Sequence, residues 1–244
     1  MKPLFSLTKR NLKEMYRDPL SIVFCIIFPL LMLVLMPLIM GNLEYAPVNF
    51  QIENYATGIC VFGYTFTCLM VALQISSDKN TSFIRRINIS PIKRTTYLFS
   101  FFLSALPVTA VQTILFYVVA LIFGYPLNGK LFLSMVYLIP SACFYIMVGI
   151  FVGIICKNEK QTGPISSIFV SLAGILGGVF MPLESMSGGF KRFVNLLPFC
   201  HTVSIASEVQ TVGAGCIYPH ILWILGYMLV FGIIIFLVEK FRKE

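Results

Sequence analysis

Six long apolar runs dominate this sequence, at about residues 20–40, 54–76, 97–123, 132–155, 164–183 and 219–238. Each is near or above the ~20 residues that a helix needs to cross a ~30 Å hydrocarbon layer. Composition agrees: 58% of the chain is hydrophobic and only 11% charged, against about 25% charged in soluble domains. A soluble chain of this length would need a far more polar surface. The first run is too long for a signal peptide and lacks a small-residue cleavage site. Pro29, Pro37, Pro107 and Pro140 fall inside the runs. Membrane helices tolerate such prolines because neighbouring helices can satisfy the freed carbonyls.

Residues 2–17 form a different kind of segment. Leu4, Phe5, Leu12, Met15 and Tyr16 share one helical face, and Lys2, Lys9, Arg10, Lys13, Glu14 and Arg17 the other. That pattern predicts a basic amphipathic helix lying in the headgroup layer, ended at Asp18-Pro19. Fifteen of the eighteen Lys and Arg fall in residues 1–19, 77–96, 156–163 and 239–244, leaving Lys130, Lys191 and Arg192 for the opposite connections. By the positive-inside rule both termini and the 77–96 loop are cytoplasmic. The same rule accounts for most of the +8 net charge, so the basicity is not read as nucleic-acid binding. The expectation is an all-α membrane protein forming a single transmembrane domain over 1–244. It comprises an interfacial helix, six transmembrane helices, a cytoplasmic loop at 77–96 and an external cap at 184–218. Short re-entrant helices are expected in that cap at about 190–197 and 202–210.

Catalytic chemistry is hard to find. Gly124-Tyr125-Pro126-Leu127-Asn128-Gly129-Lys130-Leu131 nearly matches a phosphate-binding loop, but Leu131 stands where Ser or Thr must hold magnesium. The run also lies in a short external connection rather than between a strand and a helix. His201 and His220 are read as separate interfacial polar residues, with no metal cluster around them. Cys200 and Cys216 share the cap, although their spacing alone does not support a disulfide. Most informative, the span interiors hold no Asp, Glu, Lys, Arg or His. Ion-coupled carriers normally keep such groups in the membrane, although broken helices can bind sodium through carbonyls alone. If a solute is moved uphill, its energy is expected to arrive through the cytoplasmic loops. A stand-alone channel or secondary carrier is the alternative that the residues leave open.

The spans offer two further features. Gly149/Gly153 and Gly174/Gly178 each place small residues four apart, which lets helix backbones approach closely. With Ser171 and Gly177, the fifth run is the candidate subunit interface. In the second run Thr57, Tyr64 and Thr65 form a mildly polar face that suits an amphipathic substrate path, to which Phe180 is added.

Taken together, the pattern resembles the type-2 ABC exporter permeases over essentially the whole chain. Ile84-Arg85-Arg86-Ile87-Asn88-Ile89-Ser90-Pro91-Ile92-Lys93-Arg94 is similar to that family's basic stretch after the second span. Gly177-Gly178-Val179-Phe180-Met181-Pro182-Leu183-Glu184, followed by Leu196-Leu197-Pro198-Phe199, resembles its Gly-rich fifth span running into an external region. Thr81 and Ser82 depart from the acidic residue and Gly that the family often has before the basic stretch. The resemblance implies a non-catalytic permease in a bacterial plasma membrane, exporting a hydrophobic or amphipathic molecule such as a drug, lipid or peptide antibiotic. It implies two cytoplasmic ATP-binding subunits, which would hold the ATP and Mg, and a second permease chain, identical or related, amid membrane lipids. Ile84, Arg85, Arg86, Ile87, Lys93 and Arg94 would form the main coupling surface, with Lys157 and Glu159 a smaller one.

Overall fold

A computed structural model describes residues 2–40, 50–211 and 217–241. All regular structure among them is helical. Helix α1 spans Lys2–Arg17. Helix α2 is continuous through Pro19–Ile22, a π-helical turn at Val23–Ile27, and Phe28–Met40. Then come α3 (Ile52–Asp78), α4 (Ser82–Ile89), α5 (Arg94–Ile122), α6 (Gly129–Ile155) and α7 (Glu159–Leu176). A 3-10 turn at Leu183–Ser185 leads to α8 (Gly188–Val194), α9 (Pro198–Thr211) and α10 (Ile217–Phe241). Cys216 lies outside the described residues, and Cys200 is a buried free thiol.

Among the described residues, five helices are long and apolar enough to cross a membrane: α2, α3, α5, α6 and α10. Burial ranks them. The apolar window of α3 is 83% buried, whereas those of α2 and α10 are 17% and 6% buried. Helix α3 is therefore the axis, packed against α6, α7 and α5, with α2 and α10 on the rim. Its closest neighbour is α6. A Cβ at Gly149 would stand 2.6 Å from the Cys68 carbonyl oxygen, and one at Gly153 would stand 2.9 Å from Cβ of Ile75. The small pair in the fourth run thus serves packing within the chain.

The fifth apolar run departs from its expected bounds. Helix α7 has 18 residues and stops at Leu176 rather than near 183. Gly178 follows at φ +75°, a left-handed conformation that glycine adopts without strain. Gln161, Thr162, Ser166, Ser167 and Ser171 dilute its apolar character. The interfacial helix also differs in detail. Its packing seam is Leu7, Asn11 and Met15, spaced four apart against α5, with Asn11 donating to the Ser100 hydroxyl at 2.9 Å. Phe5 and Tyr16, expected on one face with Met15, are 68% and 79% exposed. The wide apolar arc divides into a strip that packs and a strip that faces outward.

One proline is repaired across helices. Pro29 has no N–H for the carbonyl four residues back, that of Cys25. Gln112 of α5 reaches through the bundle and donates Nε2 to that oxygen at 2.8 Å, while its Oε1 accepts from Thr67 at 3.2 Å. Its route passes over Gly63, where a Cβ would lie 2.1 Å from Nε2. A buried polar group left without its partner costs about 1–3 kcal/mol. Gly63→Ala is expected to displace Gln112, strand the Cys25 carbonyl and lower stability by roughly that amount. Thermal unfolding in detergent measures it. An added Gln112→Leu should cost little further, because the bond is already lost; additive effects would count against the bridge.

Candidate functional site

Helix α4 has the composition of a docking surface. Phe83 and Ile84 are half-buried and Ile87 is buried, while Arg85, Arg86 and Ile89 face outward, Ile89 at 88% exposure. Two arginines beside an unpaired apolar side chain offer charge and an anchor to a partner. The chain leaves α4 through a hydroxyl-capped turn, in which Ser90 Oγ donates to the Ile87 carbonyl at 2.8 Å. Pro91 then prevents helix continuation. Lys93 is exposed, as are Lys157 and Glu159 in the short connection before α7. That connection is fixed by Asn158, whose side chain caps α7 by accepting from the Gln161 N–H at 3.1 Å. Arg94 lies apart from this surface: its Nε is 2.8 Å from Glu239 Oε2, tying the start of α5 to the end of α10.

Two residues just before α4 tie this region to the bundle. Asp78 takes a two-pronged bond from Arg10, Nη1 to Oδ2 at 2.6 Å and Nη2 to Oδ1 at 2.7 Å. It also accepts from the Tyr97 hydroxyl of α5 at 2.8 Å. Arg10 lies over the Phe83 ring, 3.9 Å from its centroid, and pairs with Glu14 at 2.7 Å. Burial alone would lower the Arg10 pKa, but its hydrogen bonds to Asp78 and the nearby negative charges outweigh that and raise it. Lys79 donates to the Ile154 and Cys156 carbonyls at 2.6 and 2.5 Å, capping the C-terminus of α6 where cations are favoured. Gln74 adds bonds to the Asn11 carbonyl and to Glu14, both at 3.1 Å. The joint therefore links α1, α3, α4, α5 and α6. Asp78, Arg10 and Lys79 were not among the residues expected here. The available signal was Asp78 itself, the sole acid between Glu53 and Glu159.

Of the residues expected to line a path, Tyr64 lines a cavity of about 350 Å³ with Thr109, Thr113 and Met135. Thr57 and Tyr64 lie buried between α3 and α5, the first 3.2 Å from the Tyr117 hydroxyl and the second bonded to Thr113. Thr65 turns back to the Phe62 carbonyl at 2.6 Å. Phe180 stands edge-on to Phe62, 5.0 Å between centroids, and does not join the hydroxyls. Of the residues expected at a subunit interface, Ser171 is exposed. Gly174 is covered by Phe180 and Phe62, and Gly177 is buried. The outward stripe of α7 is Ile165, Ile168, Leu172 and Ile175 with Ser167 and Ser171.

A protein-family model described as ABC-2 type transporter matches residues 3–211. The chain belongs to that family. Among curated proteins, a probable doxorubicin resistance ABC transporter permease protein, DrrC of Mycobacterium tuberculosis, is 22% identical over 204 residues, covering 81% of this chain and 72% of its own. ABC transporter G family member 20 of Dictyostelium discoideum is also 22% identical over 204 residues, and this ABC-2 chain spans 27% of its length.

At the other end of this ABC-2 transporter chain, two histidines expected to stand separately are joined. His201 Nδ1 lies 2.7 Å from His220 Nδ1. His201 Nε2 is 2.9 Å from the Asn195 carbonyl, and His220 Nε2 is 3.2 Å from Glu208 Oε1. The neighbours assign the protons. A carbonyl needs His201 Nε2 to donate, which leaves its Nδ1 as acceptor. His220 then donates from Nδ1 to His201, with its Nε2 against Glu208 Oε1. The cluster pins α9 to α10, with the His201 ring stacked on Trp223 at 5.4 Å and 6°. Among the described residues no group of three ligands suits a metal. Burial, then the neighbouring His220, lower the His201 pKa from its ordinary 6.5, against a raising effect of the Asn195 carbonyl.

Two outcomes are expected. Asp78→Asn weakens the pairing that holds Arg10 and is expected to lower stability by about 1–3 kcal/mol, the range for hydrogen bonds to charged groups. Added Arg10→Met should recover part of it. Thermal unfolding of both variants reads this, and an unaltered midpoint for Asp78→Asn would disprove the joint. For His201, the lowered pKa means that folding favours the neutral ring. Its contribution is full above pH 6.5 and is lost as the pH falls through 6.5 towards the folded-state value. Protonated His201 would set two N–H donors face to face. Trp223 is the only tryptophan, so its fluorescence should change on acidification below that pH, and the change should vanish in His201→Leu.

Proposed function

We propose that this chain is the membrane-spanning permease of an ATP-driven exporter, moving a hydrophobic or amphipathic molecule such as a drug, lipid or peptide antibiotic. Family membership and the similarity to DrrC, a probable doxorubicin resistance permease, support the reading. In it, α7 is the sixth span: its 18 residues reach about 27 Å at 1.5 Å per residue, close to the ~30 Å hydrocarbon thickness. Helices α8 and α9 dip into the outer face, and the termini lie in the cytoplasm of a bacterial cell. The chain performs no catalysis. Two cytoplasmic subunits hold ATP and Mg, and a second permease, identical or related, packs beside this one. The outward stripe of α7, carrying Ser167 and Ser171 among isoleucines, is the surface offered to it.

The observation that carries the reading is α4: an amphipathic helix that presents Arg85, Arg86 and Ile89 and is held at its start by Asp78 and Lys79. A push on its outer face reaches Phe83 and Arg10, and through Asp78 and Lys79 reaches α1, α5 and α6. Close-packed helices shift as bodies rather than deform continuously. Lys157 and Glu159 add a second, smaller contact. Arg94 serves the α5–α10 tie instead of contacting the ATPase.

The test replaces Arg85→Glu and Arg86→Glu together. Both side chains are exposed, so thermal stability should stay within ~0.5 kcal/mol, as for ordinary surface changes. Copurification of the ATP-binding subunit and export should both fall by at least tenfold, the scale of a lost interface anchor. Undiminished export by a stably folded double variant would refute the coupling role.

A further inference from the structure

Glu239, near the end of α10, is buried at 5% exposure. Arg94 stands against Oε2 as an ion pair, but among the described residues neither carboxylate oxygen has a hydrogen-bond partner. Buried charges are normally both paired and hydrogen-bonded. Glu239 heads a groove of about 330 Å³ between α5, α6 and α10. Thr95 lies beside it, and the walls are apolar: Phe99, Phe102, Met147 and Phe236. The Phe99 and Phe102 rings are parallel within 8° at 5.9 Å. Phe99 and Phe236 are more than half exposed, so the groove opens on the outer surface of the bundle. From Glu239 it runs about seven residues, to Gly232 and Phe102, or roughly 10 Å at 1.5 Å per residue. That depth is about two-thirds of one leaflet's ~15 Å share of the ~30 Å hydrocarbon layer.

We propose that this groove binds a lipophilic ammonium, its apolar chain along the phenylalanines and its N–H donated to Glu239. Charge complementarity selects the ligand. An anion would meet a carboxylate, and a neutral chain would leave the acceptor unmet. A protonated amine meets the open oxygen with both a positive charge and an N–H; an alcohol offers only the hydrogen and a quaternary ammonium only the charge. Arg94 remains on Oε2 while the ligand takes Oε1. Flanking aromatic rings favour a cation further. An amine-headgroup lipid and a free lipophilic amine share this chemistry.

The site needs neither an ATPase nor transport, so the full-length chain is tested alone in phosphatidylcholine nanodiscs, and its result stands apart from that of the α4 double variant. Decylamine is titrated calorimetrically, with decanol and decyltrimethylammonium as probes of the same tail. Decylamine should bind at least about tenfold tighter than either, the scale of one charge-assisted hydrogen bond. Glu239→Gln should remove that preference. Because this change also strips Arg94 of its partner, Gly232→Leu is the second variant. It keeps the ion pair and fills the groove, where a Cβ at position 232 already touches Met147 at 3.4 Å. Equal affinity for the three probes, or full decylamine affinity in a folded Gly232→Leu protein, overturns the proposal. Adding phosphatidylethanolamine separates the sources. Weakened decylamine binding identifies the lipid headgroup as an occupant, and undiminished binding identifies a free amine; either result supports an ammonium site.

Discussion

Hydrocarbon cannot hydrogen-bond, and that constraint organises this protein from its core outward. A polar atom inside the bundle is tolerable only when another helix supplies its partner. Gln112 shows how far the constraint reaches. Pro29 opens a carbonyl on α2, Gln112 on α5 closes it, and α3 must carry glycine at position 63 for the side chain to cross. Three helices are thereby set in register by one amide. The Thr57–Tyr117 and Tyr64–Thr113 pairs, and the bonds from Ser134 and Ser141 to carbonyls of α9, follow the same logic at other depths. Such bonds cannot be exchanged for water within the membrane. The helices they join therefore behave as one body.

Rigidity gives the basic end its importance. The backbones of α3 and α6 touch at Gly149 and Gly153, and Lys79 clasps the last carbonyls of α6 from the residue that follows α3. Asp78, its neighbour, clasps α1 and α5. Adjacent residues of opposite charge thus gather the middle of α1 and the ends of α3, α5 and α6 at the root of α4. A displacement of α4 has no soft loop in which to dissipate on the bundle side. Salt screens exposed charge pairs, but Asp78 is buried and its two-pronged geometry adds direction to attraction.

What could be read in the sequence, and what could not, divides by distance along the chain. Helical class, five of the spans, the amphipathic α1 and the outward Arg85 and Arg86 all follow from local pattern, because period and composition are local properties. The end of α7 was not legible: Gly177 and Gly178 read as a packing motif, whereas a left-handed φ at Gly178 stops the helix. Arg10 and Asp78 lie 68 residues apart, and His201 and His220 lie 19 apart across residues of the cap. No periodicity announces such meetings. Thr57 and Tyr64 both meet α5, but whether a polar face meets a partner helix or open space depends on where that helix packs. Gly174 was legible as a close-approach site, although its neighbour proved to be this chain's own Phe180.

Charge is scarce inside the bundle and concentrated at its two ends, and the ends differ in kind. At the basic end the contacts are arginine–carboxylate pairs, Arg10–Asp78 and Arg94–Glu239. At the opposite end the contact between α9 and α10 passes through the His201 and His220 imidazoles. His201 accepts from His220 only while its Nδ1 is bare. The opposite end is built from a contact that protonation of His201 undoes, and Trp223 lies stacked on that ring.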